Sequence, residues 1–405
     1  MQTATLGEPF ADGRPGAIDM FDLAAYRTER RVERIAHDPD GVTLLWDDGR
    51  ESRFDAIWLR DNCACPDCRH PQAMERRFLL IDAPEAIALA GAVLTADGNL
   101  VVRFAPEGPD GEPHVGRFTA AWLRHHDYSD AARAARAWAP RLWDAGLAKR
   151  LPIFDYAAVM TTDAGLHDWL VAIRDWGVAL VRNAPAAEGE LERLAERVGP
   201  PRPTNFGSMF NVVSMPNPNA SADTAMGLEP HTDLANWRWP SDFLLLFCIT
   251  NEAERGGSIV VDGFHTAEEL RVADPEAFEF LMTRPIDFRF HDQTCDIRHR
   301  APTIELDRAG RVSSVRFNNW LRAALDLPAA DIVLTYRALR RFWGLLRDPR
   351  FQVRLSLKPG EMLAVDNNRV LHGREPFDPK SGRRHFQGCH LDRDLVLSRL
   401  RLLDR

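Results

Sequence analysis

Two histidines and an aspartate in this sequence have the types and spacing of a metal site. His231 and Asp233 flank Thr232, and residues at positions i and i+2 of an extended segment project to the same side of the chain. His372, which follows an apolar run and precedes Gly373, could supply a third ligand. Two imidazoles and one carboxylate on one face suit ferrous iron and leave positions open for a bidentate acid and dioxygen. The sequence therefore predicts a catalytic iron site at His231, Asp233 and His372.

Arg384 indicates which acid would bind beside the iron. It follows His372 by twelve residues, on the next predicted strand. There, a guanidinium could form paired charged hydrogen bonds with the distal carboxylate of 2-oxoglutarate. Taken singly, a His-x-Asp tripeptide arises often by chance, and Arg384 beside Arg383 could be a solvated arginine. Taken together, they favour an oxygenase that uses iron(II), 2-oxoglutarate and dioxygen.

Three cysteines, Cys63, Cys65 and Cys68, indicate a second metal. They lie within six residues, a spacing too tight for a disulfide framework. Three thiolates fill three corners of a tetrahedral zinc site, and a zinc ligated only by protein is structural. His70 is the nearer histidine for the fourth corner, but it would have to reach back across a short stretch. The alternative is three reduced cysteines without a metal.

Composition limits the class of protein. With 405 residues, 45% of them hydrophobic and 27% charged, the chain is predicted to form two globular domains. The net charge of −8 gives no attraction to nucleic acid or anionic lipid. The first residues lack a basic and then apolar signal, and no long apolar run occurs. We therefore predict a cytoplasmic enzyme of a small-molecule substrate, with neither nucleic acid nor membrane as partner.

The elements that would position these residues fall into two parts. After a leader over residues 1–27, residues 28–130 have the alternation and turns of a small β-rich domain, with a strand over 42–46. Segments 54–60 and 118–124 both contain Trp-Leu-Arg and are predicted to be similar packing units. An Ala/Arg-rich pattern then predicts a helical linker over 131–150.

Residues 151–405 are predicted to form the oxygenase domain. Helical patterns over 166–176 and 191–198 flank a buried strand over 177–181. Beyond residue 205, apolar runs predict the strands of a β-sandwich or barrel, with an inserted helix over 331–346. These runs cover 243–249, 258–261, 312–317, 361–365 and 385–391.

The motifs at 231–233, 366–373 and 383–385 resemble those of the γ-butyrobetaine dioxygenase and trimethyllysine dioxygenase family, within the taurine-dioxygenase-like group. The resemblance extends from about Val42 to the C-terminus and includes 58–63, 256–257, 261–264, 317–319 and 398–401. It implies a mainly β fold with flanking helices (α+β), in which a C-terminal double-stranded β-helix, or jelly roll, follows a small β-rich zinc-binding domain. The implied reaction is hydroxylation of an unactivated C–H bond, with release of succinate and CO2. His114 is the implied fourth zinc ligand.

The resemblance also implies a homodimer. The apolar and basic stretch 395–403 could pack on a second subunit or on its own barrel.

The implied substrate pocket departs from the family pattern. Members that act on γ-butyrobetaine hold its trimethylammonium group in an aromatic cage, and the matching positions here are Phe206, Phe210, Asp223 and His390. Only two are aromatic, and Asp223 would favour a cation that donates hydrogen bonds, such as a primary amine or guanidinium. The alternative for Asp223 is a turn or helix-cap residue.

Other polar and aromatic residues could complete that pocket. Asn318 and Asn319 resemble substrate-binding asparagines, and the alternative is a turn that ends a strand. The aromatic wall could be rebuilt by Trp237, Trp239 or Trp320, or these could be ordinary core residues.

The leading hypothesis is therefore hydroxylation of a small charged aliphatic metabolite, such as an amine, a betaine or an amino-acid-like molecule. One alternative is a γ-butyrobetaine or trimethyllysine hydroxylase with a rearranged cage. Another is a non-catalytic, zinc-bearing binding protein, against which the intact His231, Asp233, His372 and Arg384 speak.

Overall fold

The computed structural model describes residues 2–4, 26–105, 113–213 and 221–404. Two compact units divide the chain between Trp138 and Ala139, inside the segment 131–150. Of the predicted leader, residues 1 and 5–25 lie outside the described residues. None of the described helices has both the length and the apolar character that crossing a bilayer requires.

The first unit contains two antiparallel sheets, each followed by a short helix. The first sheet has the order β1-β2-β3-β4 and the second the order β5-β6-β7. The strands are β1 (Gln2–Ala4), β2 (Val32–Asp38), β3 (Gly41–Trp46), β4 (Glu51–Asp55), β5 (Leu89–Leu94), β6 (Leu100–Phe104) and β7 (Val115–Phe118). The helices are α1 (Ala56–Asp61), α2 (Ala120–His126) and α3 (Asp130–Arg136), with a 3-10 turn at Leu80–Asp82.

The repeated Trp-Leu-Arg segments form α1 and α2, each directly after the last strand of a sheet. Leu59 and Leu123 are fully buried. The rings of Trp58 and Trp122 lie 5.1 Å apart between centroids. This contact joins the two repeats in one core, as expected for two similar packing units.

The predicted helical linker over 131–150 is helical for only part of its length. Helix α3 ends at Arg136, and the chain is irregular until a 3-10 turn at Ala145–Lys149. Pro140 lies in the irregular stretch, and proline disfavours the helical conformation of the residue before it. Trp143 and Leu147 instead bury their side chains in the second unit.

The second unit contains a six-stranded sheet, β10-β21-β12-β19-β9-β8, and a four-stranded sheet, β11-β20-β13-β18. The six-stranded sheet has β8 (Ile153–Asp155), β9 (Val178–Arg182), β10 (Met209–Val213), β12 (Phe243–Asn251), β19 (Met362–Asp366) and β21 (Arg384–Leu391). The four-stranded sheet has β11 (Leu228–His231), β13 (Ser258–Asp262), β18 (Gln352–Leu355) and β20 (Val370–Arg374). Two hairpins complete the strands: β14 (Ile286–His291) with β15 (Asp296–Ala301), and β16 (Ile304–Leu306) with β17 (Val312–Val315).

Helices cover the outer faces of the two sheets. They are α4 (Tyr156–Thr161), α5 (Asp163–Trp176), α6 (Glu190–Val198), α7 (Gly263–Ala273), α8 (Pro275–Thr283), α9 (Ala329–Arg347) and α10 (Arg393–Leu403). Alternate residues of β12 show the layering: Phe243, Leu245 and Phe247 pack against α5, α6 and α10. Leu244 faces the other way, into a core shared with the four-stranded sheet. The unit is a double-stranded β-helix, which confirms the predicted fold.

The C-terminal stretch packs on its own unit. Val396 and Leu400 of α10 belong to the same core as α5 and α6. Residues 395–403 therefore pack on their own barrel, which was one of the two alternatives. The homodimer stays a prediction.

Most predicted elements of this unit are confirmed, but one strand is shorter and several strands were missed, including β14 and β15. The strand predicted over 312–317 ends at Val315. The next residues bond to another loop instead: Arg316 donates to the carbonyl oxygens of Ala235 and Trp237. The β14–β15 hairpin escaped prediction because its strands alternate charged with apolar residues and contain no continuous apolar run.

A buried ion pair ties the β-helix to its flanking segments. Arg369, in the turn between β19 and β20, donates from Nε and Nη2 to the carboxylate of Asp262 at 3.1 and 2.8 Å. Both side chains are fully buried. Arg369 also donates to the carbonyl oxygen of Asp175, and Asp262 accepts from the amide of Trp143.

We expect Arg369→Met to lower the free energy of unfolding by about 3–5 kcal/mol, because it leaves a buried carboxylate without its counter-charge. Urea titration followed by tryptophan fluorescence would measure the loss. Arg354→Met is the matched control. It removes an exposed partner of Glu375 and should cost less than about 1 kcal/mol. Equal effects of the two changes would contradict the assignment.

Candidate active site

The three predicted iron ligands meet at the junction of β11 and β20. These strands are antiparallel neighbours, and His231 pairs with His372 in their register. Oδ1 of Asp233 lies 3.4 Å from Nε2 of His231 and 3.6 Å from Nε2 of His372. One donor atom from each residue falls within a 4.8 Å span. Two imidazole nitrogens and a carboxylate oxygen thus converge from one side, which is the donor set that suits ferrous iron.

Hydrogen bonding and charge prepare these residues to bind a cation. Nδ1 of His231 donates to the carbonyl oxygen of Glu229 at 2.8 Å, which leaves the Nε2 lone pair available. Burial raises the pKa of Asp233, but His372 and His231 outweigh it and hold that pKa well below its usual value. Burial lowers the pKa of His372 to about 4. At neutral pH the site therefore offers a carboxylate and neutral imidazole, the forms that bind metal.

Helix α9 supports the His231 side of the site. The carboxylate of Glu229 accepts from Nε1 of Trp343 at 2.8 Å and from two nitrogens of Arg347 at 2.8 and 2.7 Å. The bidentate contact fixes the residue whose carbonyl orients His231. The sequence predicted the helix but not this contact, which joins residues far apart in the chain.

Asn367 supports the Asp233 side and was not singled out from the sequence. Its Oδ1 accepts from the amide of Asp233 at 2.7 Å. Its Nδ2 donates to the carbonyl oxygens of Asp233 and Ser241 at 3.1 and 2.9 Å. A signal was present, because Asn367 is a polar residue directly after the fully buried strand β19.

Arg384 begins β21, and its side chain is on the same face of the strand as Phe386, which belongs to the core between the sheets. The guanidinium carbon lies 4.0 Å from the centre of the Phe386 ring and 5.2 Å from that of Phe377. Its Nε is buried and has no hydrogen-bond partner among the described residues. Burial lowers the pKa of Arg384 to about 10, and Arg374 contributes to that shift. Arg384 therefore remains a cation at neutral pH.

Arg374 is a second arginine near this site, and sequence reasoning missed its role. It lies two residues after His372 on β20, so the period of two on a strand was the available signal. Its Nη2 donates to the carbonyl oxygens of Thr224 and Met226. Arg374 thus ties the segment before β11 to the barrel.

The four predicted cage residues lie at three places. Phe210 and His390 have ring centroids 5.4 Å apart. Phe206 is 39% exposed and contacts Phe290 of the β14–β15 hairpin at 5.2 Å between centroids. Asp223 lies in a 3-10 turn, Ser221–Asp223, and its charge acts on Arg374.

The predicted pocket asparagines have local partners. Asn318 donates to the carbonyl oxygen of Thr232 at 3.0 Å and accepts from the amides of Trp320 and Leu321. Its amide group therefore holds the backbone at Thr232, between the predicted ligands His231 and Asp233. Asn319 accepts from Arg322 at 3.1 Å.

The three tryptophans differ in position. The ring of Trp320 lies 5.4 Å from that of His231. Trp237 donates to Asn205, and Trp239 is 70% exposed. Trp320 is thus the one in contact with a predicted ligand.

The cysteine cluster of the first unit brings together a second group of four potential metal ligands. Nε2 of His114 lies 3.3, 3.7 and 3.4 Å from the sulfurs of Cys63, Cys65 and Cys68. Ligands of a tetrahedral zinc ion are separated by about 3.5 Å, given its usual bond lengths. All four residues are buried, and Arg60 donates to the Cys68 sulfur at 3.0 Å. His70 is exposed and bonds to its own turn. The cluster is consistent with a zinc-binding domain.

Comparison with known proteins gives consistent matches. Residues 140–390 match the family model "Taurine catabolism dioxygenase TauD, TfdA family", and residues 34–124 match "Gamma-butyrobetaine hydroxylase-like, N-terminal". The chain is 40% identical to γ-butyrobetaine dioxygenase of Pseudomonas sp. (strain AK-1), over 95% of this chain and 100% of the relative. It is 31% identical to the human γ-butyrobetaine dioxygenase, over 89% and 94% of the two chains.

A further relative is named for a different activity. Mitochondrial trimethyllysine dioxygenase of Mus musculus is 30% identical, over 93% of this chain and 89% of the relative. The chain therefore belongs to the TauD, TfdA family, among the γ-butyrobetaine and trimethyllysine dioxygenases, and is a 2-oxoglutarate-dependent dioxygenase.

Proposed function

We propose that His231, Asp233 and His372 bind the iron and that Arg384 binds the distal carboxylate of 2-oxoglutarate. The convergence of two imidazoles and one carboxylate oxygen carries the proposal. Arg384 supports it, because its buried Nε has no hydrogen-bond partner in the described part of the chain. When bound, iron and 2-oxoglutarate supply with dioxygen the oxidising power for C–H hydroxylation, with release of succinate and CO2.

The chain's own residues hold the reactants and exclude water. Phe386 and Phe377 flank the Arg384 guanidinium, which limits its rotation and keeps solvent from its faces. A carboxylate that enters this place forms charged hydrogen bonds in a poorly hydrated environment, where they are stronger than in water. The Glu229 carbonyl keeps the His231 ring in one orientation throughout.

We expect Arg384→Met to raise the KM for 2-oxoglutarate by about 30-fold or more, because loss of one partner of a buried charged pair costs roughly 2–5 kcal/mol. Succinate formation, measured against 2-oxoglutarate concentration, tests this. Arg383→Met is the matched control, since Arg383 is 84% exposed, and it should leave this KM unchanged. His231→Ala should form no succinate at any concentration. Succinate formation by His231→Ala would refute the iron assignment.

We further propose that the substrate is a small aliphatic cation that donates hydrogen bonds, such as a primary amine or a guanidinium. Two features support this choice over a quaternary ammonium. Only Phe206 and Phe210 are aromatic at the four predicted cage positions. Asp223 supplies a carboxylate, which interacts best with a donor cation. The second candidate is hydroxylation of γ-butyrobetaine or trimethyllysine, favoured by the 40% identity to a γ-butyrobetaine dioxygenase.

A pair of substrates with the same carbon chain separates these two candidates. We expect 4-aminobutyrate to give a higher kcat/KM than γ-butyrobetaine, measured as substrate-dependent 2-oxoglutarate consumption. Asp223→Asn should reduce the turnover of the primary amine by about tenfold, because it removes a charged hydrogen bond worth roughly 1.5–3 kcal/mol. Preference for the quaternary substrate, unaffected by Asp223→Asn, would instead establish the second candidate.

The cysteine cluster supports a second proposal: Cys63, Cys65, Cys68 and His114 bind a structural zinc ion. All four corners of the tetrahedron are filled by buried protein atoms, so no position is left for a substrate. Burial lowers the pKa of His114, but hydrogen bonds with Cys65 and Cys68 outweigh it and raise it to about 9. A zinc ion that binds here would displace the His114 proton, because only the neutral imidazole is a metal ligand.

We expect the purified protein to contain one equivalent of zinc by elemental analysis, and Cys65→Ser to lose it. Loss of zinc should unfold the first unit, because binding of a structural zinc contributes about 10–16 kcal/mol in small zinc domains. Cys295→Ser, at a partly exposed lone thiol, should keep both zinc and stability. A Cys65→Ser protein that retains full zinc would show that the metal binds elsewhere.

A further inference from the structure

A third histidine faces the predicted iron ligand Asp233 from the opposite sheet. Oδ1 of Asp233 is the oxygen near His231 and His372, whereas Oδ2 lies 3.9 Å from Nε2 of His390. His390 is 2% exposed, on β21. The two carboxylate oxygens are thus distinguished: one faces the metal ligands and the other faces His390.

A hydrogen bond at the other ring nitrogen defines which tautomer of His390 fits. Oγ of Ser241 lies 2.7 Å from Nδ1 of His390. A hydroxyl can donate or accept, but a carboxylate oxygen can only accept. If Nδ1 carried the proton of a neutral ring, the Nε2 lone pair would face the negative charge of Asp233. The favourable arrangement has Ser241 donating to Nδ1 and the Nε2–H on the side of Oδ2, at a distance longer than a hydrogen bond.

This pair is fixed in place by the same amide that fixes Asp233. Asn367 donates to the carbonyl oxygen of Ser241 and bonds to both backbone groups of Asp233. Ser241 is fully buried and Asn367 is 1% exposed. Asp233 and the Ser241–His390 pair are therefore held relative to each other by one rigid side chain, across the space between the sheets.

We propose that His390, oriented by Ser241, is a positioning residue that attracts Oδ2 of Asp233 electrostatically and so keeps Oδ1 on the side of His231 and His372. The inference rests on the proposed iron site and adds a residue to it. It gives His390 a role in metal binding, where the sequence analysis had placed it in the wall of the substrate pocket. Removal of a residue that orients a metal ligand typically changes metal affinity 10–100-fold.

The experiment measures the affinity of the full chain for Mn(II) in the absence of oxygen and substrate. Electron paramagnetic resonance gives the concentration of free Mn(II) at each point of the titration. His390→Phe keeps a ring but removes the donor, and we expect binding to weaken by about 10–100-fold. His390→Gln carries an amide donor in place of Nε2 and should recover most of the lost affinity. Ser241→Ala should have an intermediate effect. Cys389→Ala is the control, since Cys389 is buried on the same strand and packs in the core on its other face.

The outcomes separate this inference from the proposed function. If the wild-type chain binds no Mn(II), or if His231→Ala binds it as tightly as the wild type, the iron site itself is wrong. If it binds Mn(II), but His390→Phe binds equally tightly and instead raises the KM of the substrate, His390 lines the substrate pocket and the inference is overturned. If Cys389→Ala weakens binding as much as His390→Phe, the effect is one of packing and the inference also fails. Rescue by His390→Gln supports it.

Discussion

The pairing of β11 with β20 is the constraint on which the site depends. It places His231 opposite His372, and Asp233 then comes within reach of both imidazoles. A slip of one residue would turn every side chain of a strand to the other face, so His372 would exchange places with Leu371. Leu371 is fully buried against the helices on the outer face, and Val370 is buried between the sheets. The hydrophobic core thus fixes the register, and the register positions the predicted ligands.

On β21, the alternation of side chains between the two faces of the strand places residues opposite the β11–β20 pair. Phe386 packs between the sheets, and a period of two places Arg384 and His390 on its face of the strand. Gly388 lies between them, where a Cβ would overlap the ring of Phe210. The absence of a side chain at 388 therefore lets Phe210 lie close to His390. Strand β21 thus carries Arg384, the predicted co-substrate residue, Gly388, against which the Phe210 ring packs, and His390, which faces Asp233.

Sequence reasoning succeeded where local pattern and burial agree, and failed where distant partners decide. Strand β12 was predicted because both of its faces are covered, so its apolar run is continuous. The strand predicted to reach Phe317 ends earlier because Thr232 donates to the Phe317 carbonyl from a distant loop. The roles of Asn318 and Asn367 likewise depend on backbone groups around Asp233, far away in sequence. Residue types and spacing could indicate the predicted ligands, but not the side-chain amides that hold the backbone around Asp233.

Two buried arginines differ in whether the fold supplies a counter-charge. Arg369 is fully buried, and its guanidinium is bonded to Asp262 and to backbone carbonyls. Arg384 is also largely buried, but burial, Arg374 and Cys248 dominate its electrostatic environment, with no carboxylate among them. An unpaired buried cation costs free energy, which an anion of the right shape recovers when it binds. Both residues border apolar strands in the sequence, so the difference between them is visible only in the fold: among the described residues, no carboxylate pairs with Arg384, which supports the proposed place for a co-substrate carboxylate.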